Sequence, residues 1–561
     1  MTRITRRRAL TTALLAGAAA CSPSPKKTPY SAATDGAEGP FRHGVASGDP
    51  GARSIVLWTR ATTDGAAPVP LAFEIAADRG FSEILREGEA IAAPAADFTA
   101  KALVDGLDPG RIYYYRFRAG EAVSPIGRTR TLPEGQLDRA AFAIVSCSNY
   151  PFGYFNVYDL IARRDDLDAV IHLGDYIYEN GVDGYGGDVG AALGRNHEPD
   201  HEIVTLADYR RRHAQYKADP ASRAMHAAHP LIAIWDDHES ANDSWLGGAR
   251  NHDPATEGDW AARKRAAMQA YYEWMPIREP APGRPREAIF RAFSYGDLLT
   301  VAALETRLMA RAKQFAYSEV TPTLKTREDI DRFRNETLWD PSRAMLGAAQ
   351  EEFIGETLKA SVEAGPAWRV IANQVLMGHV LAPDLTPHVT EAEIVAAEKD
   401  WSEARAFVAF SKMNLPMNLD CWDGYPAARE KFYDRVKGAG ADGVLVLTGD
   451  YHTWWANDLA ARDGTPMGVE LAVHSVTSPS PFRKDAMGGR GAKYAALVNR
   501  ENKAVRYLSG EDHGYIALEI GRTEAKAHFM AVDTIERPDY NAFEKAVFTI
   551  RNREGVAFAR S

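Results

Sequence analysis

The chain has 561 residues, of which 45% are hydrophobic and 25% are charged, so it is long enough to bury more than one hydrophobic core. Its formal net charge of -10 argues against the basic face that general nucleic-acid binding requires, and we expect no nucleic-acid-specific binding. We also expect no membrane-spanning helix, because no apolar run reaches the roughly 20 residues that are needed to cross a bilayer.

The N-terminal segment has the pattern of an export signal. Arg6, Arg7 and Arg8 precede the apolar stretch TTALLAGAAAC, which ends in small residues. Because adjacent arginines are typical of twin-arginine signals, we predict that residues 1–38 are such a signal followed by a flexible leader, and that the protein is periplasmic or secreted. Cys21 follows three alanines, so ordinary cleavage and a lipid anchor on Cys21, which would make a membrane-anchored lipoprotein, both stay open.

The next segment, residues 39–135, reads as short strands separated by turns. Its apolar and polar side chains alternate, and Gly, Pro and Asp interrupt the runs at regular spacing, in SIVLWTRAT, VPLAFEIAAD, FTAKALVDGL and RIYYYRFRAG. This pattern is typical of a small β-sandwich. Nothing in it points to catalysis, so a structural or binding role is the natural interpretation.

From about residue 136 the pattern changes to short, wholly apolar runs that alternate with helical stretches. The runs are AFAIVSC, DAVIHLGD, PLIAIWDD, DLLTVAALETR, WRVIANQ and GVLVLTGD. Runs that are apolar on both faces suit central strands covered by helices, so residues 136–545 are predicted to form one layered α/β domain. Residues 546–561 are predicted to be a C-terminal tail. TLADYRRRHAQY, with Thr205 and Asp208 at capping-box spacing, and PSRAMLGAAQEEFIGETLKAS are predicted helices.

Almost every apolar run ends in residues that can bind metals or carry protons. In chain order these residues are Cys147, Asn149, Asp175, Tyr176, Tyr178, Asp236, Asp237, His238, Glu239, Glu305, Arg307, Asn373, Asp450 and His452. Ligands of layered α/β proteins sit beyond the strand ends, where the loops converge. The sequence therefore predicts that these side chains share one cleft.

So many carboxylates in one cleft predict a bound cation, because ionised acids repel one another and lose hydration when they are buried. Carboxylate and phenolate oxygens suit hard ions, whereas the Cys147 thiolate and the His452 imidazole suit a transition metal. Asp175 is the natural carboxylate to bridge two ions. Paired ions of this kind can clamp the attacking and leaving oxygens of a displacement at phosphorus.

Each signal has an ordinary structural explanation when it is taken alone. A Gly-Asp pair after a strand is usually a turn, and a lone Cys147 is more often a small buried residue than a ligand. HEPDH, residues 197–201, has the HExxH spacing of zinc proteases, but Pro199 breaks the helix that would place both histidines on one face. Cys147 and Cys421 could pair in an exported protein, although we expect Cys421 to be a packed thiol. The joint occurrence of the signals carries the prediction.

As a set, these motifs resemble PhoD-type alkaline phosphatases and the related PhoD-like phospholipases D. The resemblance runs from about residue 41 to about residue 530 and rests on FRHGVASGDP, SCSN, HLGDYIYEN, YRRRHAQY, IWDDHE, MLGAAQEEF, WRVIANQ, WDGYPAAR and LTGDYH. It implies an immunoglobulin-like domain before a metallophosphoesterase α/β domain, and export by the twin-arginine route. It also implies a site that holds Fe³⁺ and Ca²⁺.

Carried over by motif, the resemblance implies that Cys147 and Tyr178 bind iron and that Asp175 bridges the metals. Asp450 and His452 are further metal-site residues, and Asp237 is favoured over Asp236 as a ligand. His238 is an expected phosphate contact.

Other positions leave alternatives open. Arg307 is either a substrate contact or part of a buried ion pair, and Glu305 stands where the family has Asp, which puts its role in doubt. We expect Asn373 to bond the backbone. The remaining expectation is a loop that covers the site, formed by Trp422, Asp423 and Tyr425.

The expected reaction is hydrolysis of small-molecule phosphate esters by a metal-bound hydroxide that attacks phosphorus without a covalent enzyme intermediate. The first hypothesis is an alkaline phosphatase, that is, a phosphomonoesterase. The second is a phosphodiesterase or phospholipase D-like enzyme with the same site. The third, of a different class, is a cell-surface binding protein whose metals are purely structural.

Overall fold

The computed structural model describes residues 39–399, 402–552 and 555–559. The predicted signal and leader, including Arg6, Arg7, Arg8 and Cys21, lie outside these ranges. Among the described residues, no helix has the length and apolar character needed to span a membrane.

The first eight strands belong to the N-terminal region and the other fourteen follow it. In chain order they are β1 (Val45–Gly48), β2 (Ser54–Arg60), β3 (Val69–Ala76), β4 (Ile84–Ala92), β5 (Thr99–Asp105), β6 (Ile112–Ala119), β7 (Ala122–Val123), β8 (Gly127–Arg130), β9 (Arg139–Val145), β10 (Ala169–His172), β11 (Pro230–Ala233), β12 (Arg291–Tyr295), β13 (Leu299–Ala303), β14 (Trp368–Ala372), β15 (Val444–Thr448), β16 (Trp454–Ala460), β17 (Pro466–Ala472), β18 (Val505–Ser509), β19 (Gly514–Gly521), β20 (Glu524–Val532), β21 (Ala542–Asn552) and β22 (Val556–Phe558).

The helices lie between these strands. They are α1 (Asn156–Ala162), α2 (Gly187–Leu193), α3 (Leu206–Ala218), α4 (Pro220–Ala228), α5 (Pro254–Glu257), α6 (Trp260–Trp274), α7 (Tyr317–Val320), α8 (Arg327–Arg332), α9 (Ala348–Ala364), α10 (Glu391–Ala397), α11 (Ala404–Ser411), α12 (Pro426–Gly438), α13 (Ala486–Gly489) and α14 (Gly491–Glu501). Both predicted helices are confirmed, as α3 and α9. Thr205 caps α3 through the predicted capping box with Asp208.

Two large sheets form the centre of the molecule. One has ten strands in the order β22-β21-β20-β19-β9-β10-β11-β1-β2-β5, and the other has seven in the order β12-β13-β14-β15-β17-β16-β18. β9, β10 and β11 run parallel to one another, and so do β13, β14 and β15. Because the carboxyl ends of parallel strands meet at one edge of their sheet, each sheet brings three of the predicted polar turns together.

The two sheets pack face to face, and helices cover their outer faces. Alternation along β9 shows the layers: Phe142 and Ile144 join the core between the sheets, while Ala143 and Val145 join the core under the helices. α1, α3, α4 and α6 contribute to that outer core, and α9 and α12 cover the seven-stranded sheet. The prediction of a layered α/β fold is confirmed.

The N-terminal region is a β-sandwich, as predicted, but it shares a sheet with the rest of the chain. β3, β4, β6, β7 and β8 form a five-stranded sheet, and its side chains pack with those of β2 and β5 in one core. β1 pairs in parallel with β11, with Ser47 opposite Pro230, so the ten-stranded sheet runs from the sandwich into the α/β layers. The limits 39–135 and 136–545 stay a prediction. The predicted tail, 546–561, includes the end of β21 and all of β22, which pair at the edge of this sheet.

Candidate metal centre

The structure brings the predicted metal-site residues together at the strand ends. Three groups have ligand atoms within 4.8 Å of one another: Cys147, Asp175 and His452; Asp175, Asp237 and His238; and Asp236, Asp237 and Asp450. Asp175 belongs to the first two groups and Asp237 to the last two, so the groups form one continuous cluster. Tyr178 joins the cluster through its Oη, which lies 3.2 Å from Asp175 Oδ2.

The turns that carry these residues have unusual backbone geometry. Cys147, Asp175, Asp450 and His452 have φ angles of 61°, 54°, 61° and 48°. These values lie in the left-handed region, which residues other than glycine adopt uncommonly. Such strain persists where the surrounding structure over-determines it, and it is concentrated at functional sites. Gly174 has a φ of 106°, and a Cβ there would lie 2.5 Å from the backbone nitrogen of Asp236, so the close approach of the two turns requires glycine.

One side of the cluster combines a thiol, a phenol and a carboxyl group. Cys147 Sγ lies 3.4 Å from Asp175 Oδ2, and Tyr178 Oη lies 3.1 Å from His452 Nε2. Burial, and then the charges of neighbouring acids, raises the pKa values of the Cys147 thiol, the Tyr178 phenol and the Asp175 carboxyl above their ordinary values. A bound cation would reverse this effect by stabilising all three anions.

The other side is rich in carboxylates and contains the buried guanidinium of Arg307. Its Nε donates to Asp236 Oδ1 at 2.5 Å, its Nη1 to Asp420 Oδ2 at 2.8 Å and its Nη2 to Asp450 Oδ1 at 2.9 Å. These contacts match the buried ion pair that the sequence left open as an alternative. A direct contact between Arg307 and substrate stays a prediction.

Asp236 and Asp237 differ in their surroundings although they are neighbours in sequence. Burial raises the pKa of Asp236 to about 6, and this carboxylate binds Arg307. Burial alone would also raise the pKa of Asp237, but Arg307 and His238 outweigh it and hold that pKa at about 2. Asp237 Oδ1 is buried and accepts no hydrogen bond from the described residues. An ionised oxygen without a donor is a natural cation ligand, which supports Asp237 over Asp236.

His238 is held beside the cluster by Glu179. Its Nδ1 lies 2.6 Å from Glu179 Oε2, and its ring stacks on Tyr178 with the centroids 4.0 Å apart. Burial alone would lower the pKa of His238, but Glu179 and Asp175 outweigh it and raise this pKa well above its ordinary value. Nδ1 is taken by Glu179, and Nε2 is the other nitrogen of the ring.

Four residues of the site were not assigned a role from the sequence. Glu239 accepts hydrogen bonds from the backbone nitrogens of Asp175 and Asp236 at 3.1 and 2.8 Å, and so fixes both turns. Glu179 orients His238, Asp420 binds Arg307, and Ser478 donates to Tyr178 Oη at 2.7 Å. Glu179 and Glu239 lie inside the motifs HLGDYIYEN and IWDDHE. Their positions inside these motifs could have indicated that they belong to the site, whereas Ser478 lies in a loop without a recognised motif.

Two strand-end residues serve the scaffold rather than the cluster. Glu305 accepts hydrogen bonds from Trp235 Nε1 at 3.0 Å and from the backbone nitrogen of Leu308 at 2.6 Å. Asn373 donates to the backbone oxygen of Val375, as predicted, and its Oδ1 accepts from Trp422 Nε1 at 3.1 Å. These contacts anchor the ends of their strands.

The expectation of a covering loop was wrong. Trp422 and Tyr425 are buried in the core of the seven-stranded sheet, and Asp423 accepts a hydrogen bond from Arg429 Nη1 at 2.6 Å. The segment leads into α12, which begins at Pro426, and its large aromatic side chains pack in the core instead of lying over the site. Asp420, which precedes it, reaches the cluster.

The remaining cysteine and histidine motifs have structural roles. Cys147 and Cys421 are both free and buried, and Cys421 Sγ donates to the backbone oxygen of Asn418. In HEPDH, His197 is buried and bonds the backbone oxygen of Asn180 and Tyr216 Oη, whereas His201 is exposed. The zinc-protease interpretation is therefore excluded, as the sequence predicted.

Comparison with known proteins agrees with this geometry. The sequence model of the PhoD-like phosphatase family matches residues 142–529, and that of the PhoD-like phosphatase N-terminal domain matches residues 26–133. Alkaline phosphatase D of Bacillus subtilis (strain 168) is 33% identical over 527 residues, which cover 91% of this chain and 80% of the relative. The solved structure of PhoD is 30% identical, with a TM-score of 0.74 over 96% of this chain and 94% of its own. The chain belongs to the PhoD-like phosphatase family.

Proposed function

We propose that this protein is an exported, metal-dependent hydrolase of small-molecule phosphate esters, of the alkaline phosphatase type. The observation that carries the proposal is the continuous cluster around Asp175 and Asp237, in which thiol, phenol, imidazole and carboxylate ligands meet at the edge of two sheets. Membership of a phosphatase family supports the same reaction.

The donor set fits two kinds of cation. Cys147 and Tyr178 would bind Fe³⁺, because thiolate and phenolate ligands suit it, and Asp175 would bridge to a second ion. Asp237 and Asp450 would bind Ca²⁺ through their carboxylate oxygens, and His452 would be a further ligand of the metal cluster. When bound, the cations supply positive charge for phosphate oxygens and acidify a water that attacks phosphorus, so no protein nucleophile is required.

The chain's own residues orient the substrate and stabilise charge. Glu179 holds His238 as a cation, and His238 Nε2 would donate to a phosphate oxygen as negative charge develops there. Arg307 keeps Asp236, Asp420 and Asp450 in one arrangement, and Glu239 fixes the backbone of Asp175. Each of these groups is set before the substrate arrives, which reduces the cost of reorganisation during the reaction.

A diesterase is the second candidate function, and the size of the cavity allows it. A cavity of about 620 Å³ reaches the cluster at Asp420, Asp450 and His452, and a terminal phosphate occupies only part of that space. A second substituent on phosphorus would have room. Rates on p-nitrophenyl phosphate and bis-p-nitrophenyl phosphate separate the two functions, since a monoesterase prefers the first and a diesterase the second.

Asp175→Asn tests the proposal as a whole. It keeps the shape of the side chain but removes the charge that would bridge two ions. We expect at least a hundredfold loss of phosphate-ester hydrolysis, together with reduced metal content by elemental analysis. Asp64→Asn, at an exposed position in the sandwich, is the matched control. Full hydrolysis by a folded Asp175→Asn variant would show that the reaction does not depend on this cluster, whereas a metal-loaded wild-type protein without any hydrolysis would favour the binding-protein hypothesis.

Export by the twin-arginine route is part of the proposal and has its own test. Replacement of Arg6, Arg7 and Arg8 by lysine keeps the positive charge but removes the arginines of the predicted signal. We expect the enzyme to accumulate inside the cell. Membrane association of the wild-type protein that disappears in Cys21→Ala would assign the lipid anchor, and its persistence would exclude acylation as the cause.

A further inference from the structure

The cavity beside the cluster is lined by two chemically different sets of side chains. Asp420, Asp450 and His452 line it and connect it to the metal centre. Apolar side chains from two stretches of chain that lie far apart in sequence form another wall of the cavity. Its main side chains are Leu385, Phe407, Phe482, Tyr494 and Val498, all less than 10% exposed.

The apolar wall is continuous with the metal centre. Tyr451 lies between Asp450 and His452 in sequence, and its ring stacks on Phe482 with the centroids 6.1 Å apart. The turn that presents two predicted metal-site residues therefore also begins the wall. A group attached to a phosphate at the cluster would meet this wall next.

The two stretches that form the wall are fastened to each other. Arg490 makes an ion pair with Glu393 on α10, and its Nη1 donates to the backbone oxygen of His388 at 3.0 Å. At the end of α14, Asn502 Oδ1 accepts from the backbone nitrogen of Leu381 at 2.8 Å, and its Nδ2 donates to the oxygen of Leu381 at 3.0 Å. These bonds hold α10 and α14 as one supporting layer.

The charged residues that line the cavity do not favour a second anionic group. Arg250 lies 3.4 Å from Asp243 and 3.3 Å from Glu403, and Lys313 lies 3.1 Å from Glu319. Both cations are thus paired with acids, and Asp420 and Asp450 are themselves paired with Arg307, so neither Arg250 nor Lys313 is left to bind a second anionic group. A second phosphate group would lose hydration in the cavity without gaining an unpaired cation, whereas a neutral hydrocarbon carries no such cost.

We propose that this cavity is the leaving-group subsite and that it takes an apolar group, aliphatic or aromatic, esterified to the phosphate. The inference rests on the proposed phosphate-ester hydrolysis and adds the class of substrate to it. Burial of one methylene against such a wall increases binding by about three- to fourfold. Longer hydrocarbon chains should therefore be hydrolysed faster until the cavity is full.

The test uses the metal-loaded enzyme and a series of n-alkyl phosphates from ethyl to octyl, whose leaving alcohols have nearly equal pKa values. We expect kcat/KM to rise by about two- to fourfold per methylene over the first several members. Val498→Thr and Leu385→Asn make the wall polar with little change of shape, and they should flatten the rise of kcat/KM with chain length. Val395→Thr, at an exposed position on α10, is the matched control.

A third variant blocks the cavity without touching the core. Ala316 lines the cavity and is partly exposed, so Ala316→Leu should reduce hydrolysis of hexyl and octyl phosphate more than that of ethyl phosphate. Equal kcat/KM for all chain lengths in the wild-type enzyme would overturn the subsite while leaving the proposed function intact. Failure to hydrolyse any member would overturn both. Inhibition constants of the matching alkylphosphonates should follow the same order as kcat/KM.

Discussion

Arg307 Nη2 lies 2.9 Å from Asp450 Oδ1 and thereby links the end of β13 to the end of β15. The same guanidinium binds Asp236 after β11 and Asp420 before α12, so one buried cation connects both sheets. Four carboxylates that would otherwise repel one another, Asp237 included, share this charge. The planar fork of arginine suits this task because its five N–H groups reach several acceptors at once.

Arg307→Lys keeps the charge but loses the fork, and it distinguishes the two roles left open for this residue. If Arg307 positions metal-site carboxylates, metal content falls and kcat drops by roughly tenfold or more, with little change in KM. If Arg307 binds the phosphate, metal content stays the same and KM rises. We expect the first result, to be measured by elemental analysis alongside steady-state kinetics.

Arg307→Ala should also destabilise the fold. Removal of one partner from a buried ion pair leaves uncompensated charge, which costs about 3–5 kcal/mol of the free energy of unfolding. Arg522→Lys, at an exposed ion pair with Asp297, is the control and should unfold like the wild type in urea. A stable, metal-replete Arg307→Ala variant would show that the carboxylates do not depend on this cation.

Ser478→Ala should weaken metal binding although Ser478 is not a predicted ligand. Its hydroxyl donates to Tyr178 Oη at 2.7 Å and stabilises the phenolate that would bind iron. Loss of a hydrogen bond to a metal ligand typically lowers metal affinity by about 10- to 100-fold. We expect the iron affinity of Ser478→Ala to fall by about the same factor. Competition with a chelator measures the change, and Ser342→Ala, at an exposed position, is the control. Unchanged iron affinity would remove Ser478 from the site.

The sequence located most of the cluster because each ligand follows an apolar run that could be recognised locally. Cys147, Asp175, Asp237 and Asp450 all stand at such strand ends, and parallel strands bring their ends together. Asp420 and Ser478 could not be found in this way, because they lie on loops whose position depends on how distant segments pack. The covering-loop expectation failed for a related reason: aromatic composition alone does not tell a lid from a core helix.

The sheet that the sandwich shares with the α/β layers also could not be predicted from the sequence. β1 and β11 are separated by more than 180 residues, and nothing in the sequence of either strand indicates which strand it pairs with. Composition changes near residue 136, so a domain boundary there was a reasonable prediction. Hydrogen bonding between strands is set by tertiary packing, which a change of composition does not report.

Selective removal of calcium should separate the two proposed metals. A calcium chelator such as EGTA should abolish hydrolysis and lower the midpoint of thermal unfolding, because Arg307 alone would then compensate the charges of Asp237 and Asp450. Calcium should restore both properties. Magnesium should restore them poorly, since it demands a smaller and stricter octahedral site. Full activity after complete calcium removal, with iron retained, would assign the reaction to iron alone.

Buried neutral histidines should make the fold sensitive to acid. Burial lowers the pKa values of His172 and His213 to about 3 and that of His229 to about 4, whereas the unfolded chain binds these protons near pH 6.5. Below pH 6.5 the unfolded state therefore holds more protons than the folded state, and stability falls as the pH falls. For each such histidine, the free energy of unfolding should drop by about 1.4 kcal/mol between pH 7.5 and pH 5.5.

His213→Phe isolates one of these contributions. Both ring nitrogens of His213 lack hydrogen-bond partners among the described residues, and the ring stacks between Tyr176 and Trp274, so phenylalanine keeps its shape and contacts. The variant should lose about 1.4 kcal/mol less than the wild type between pH 7.5 and pH 5.5 in urea unfolding. His213→Gln, which also cannot titrate, should show the same reduced pH dependence but lower stability at pH 7.5, because it buries an amide without partners. If both variants kept the pH dependence of the wild type, His213 would not be a neutral group in the folded protein.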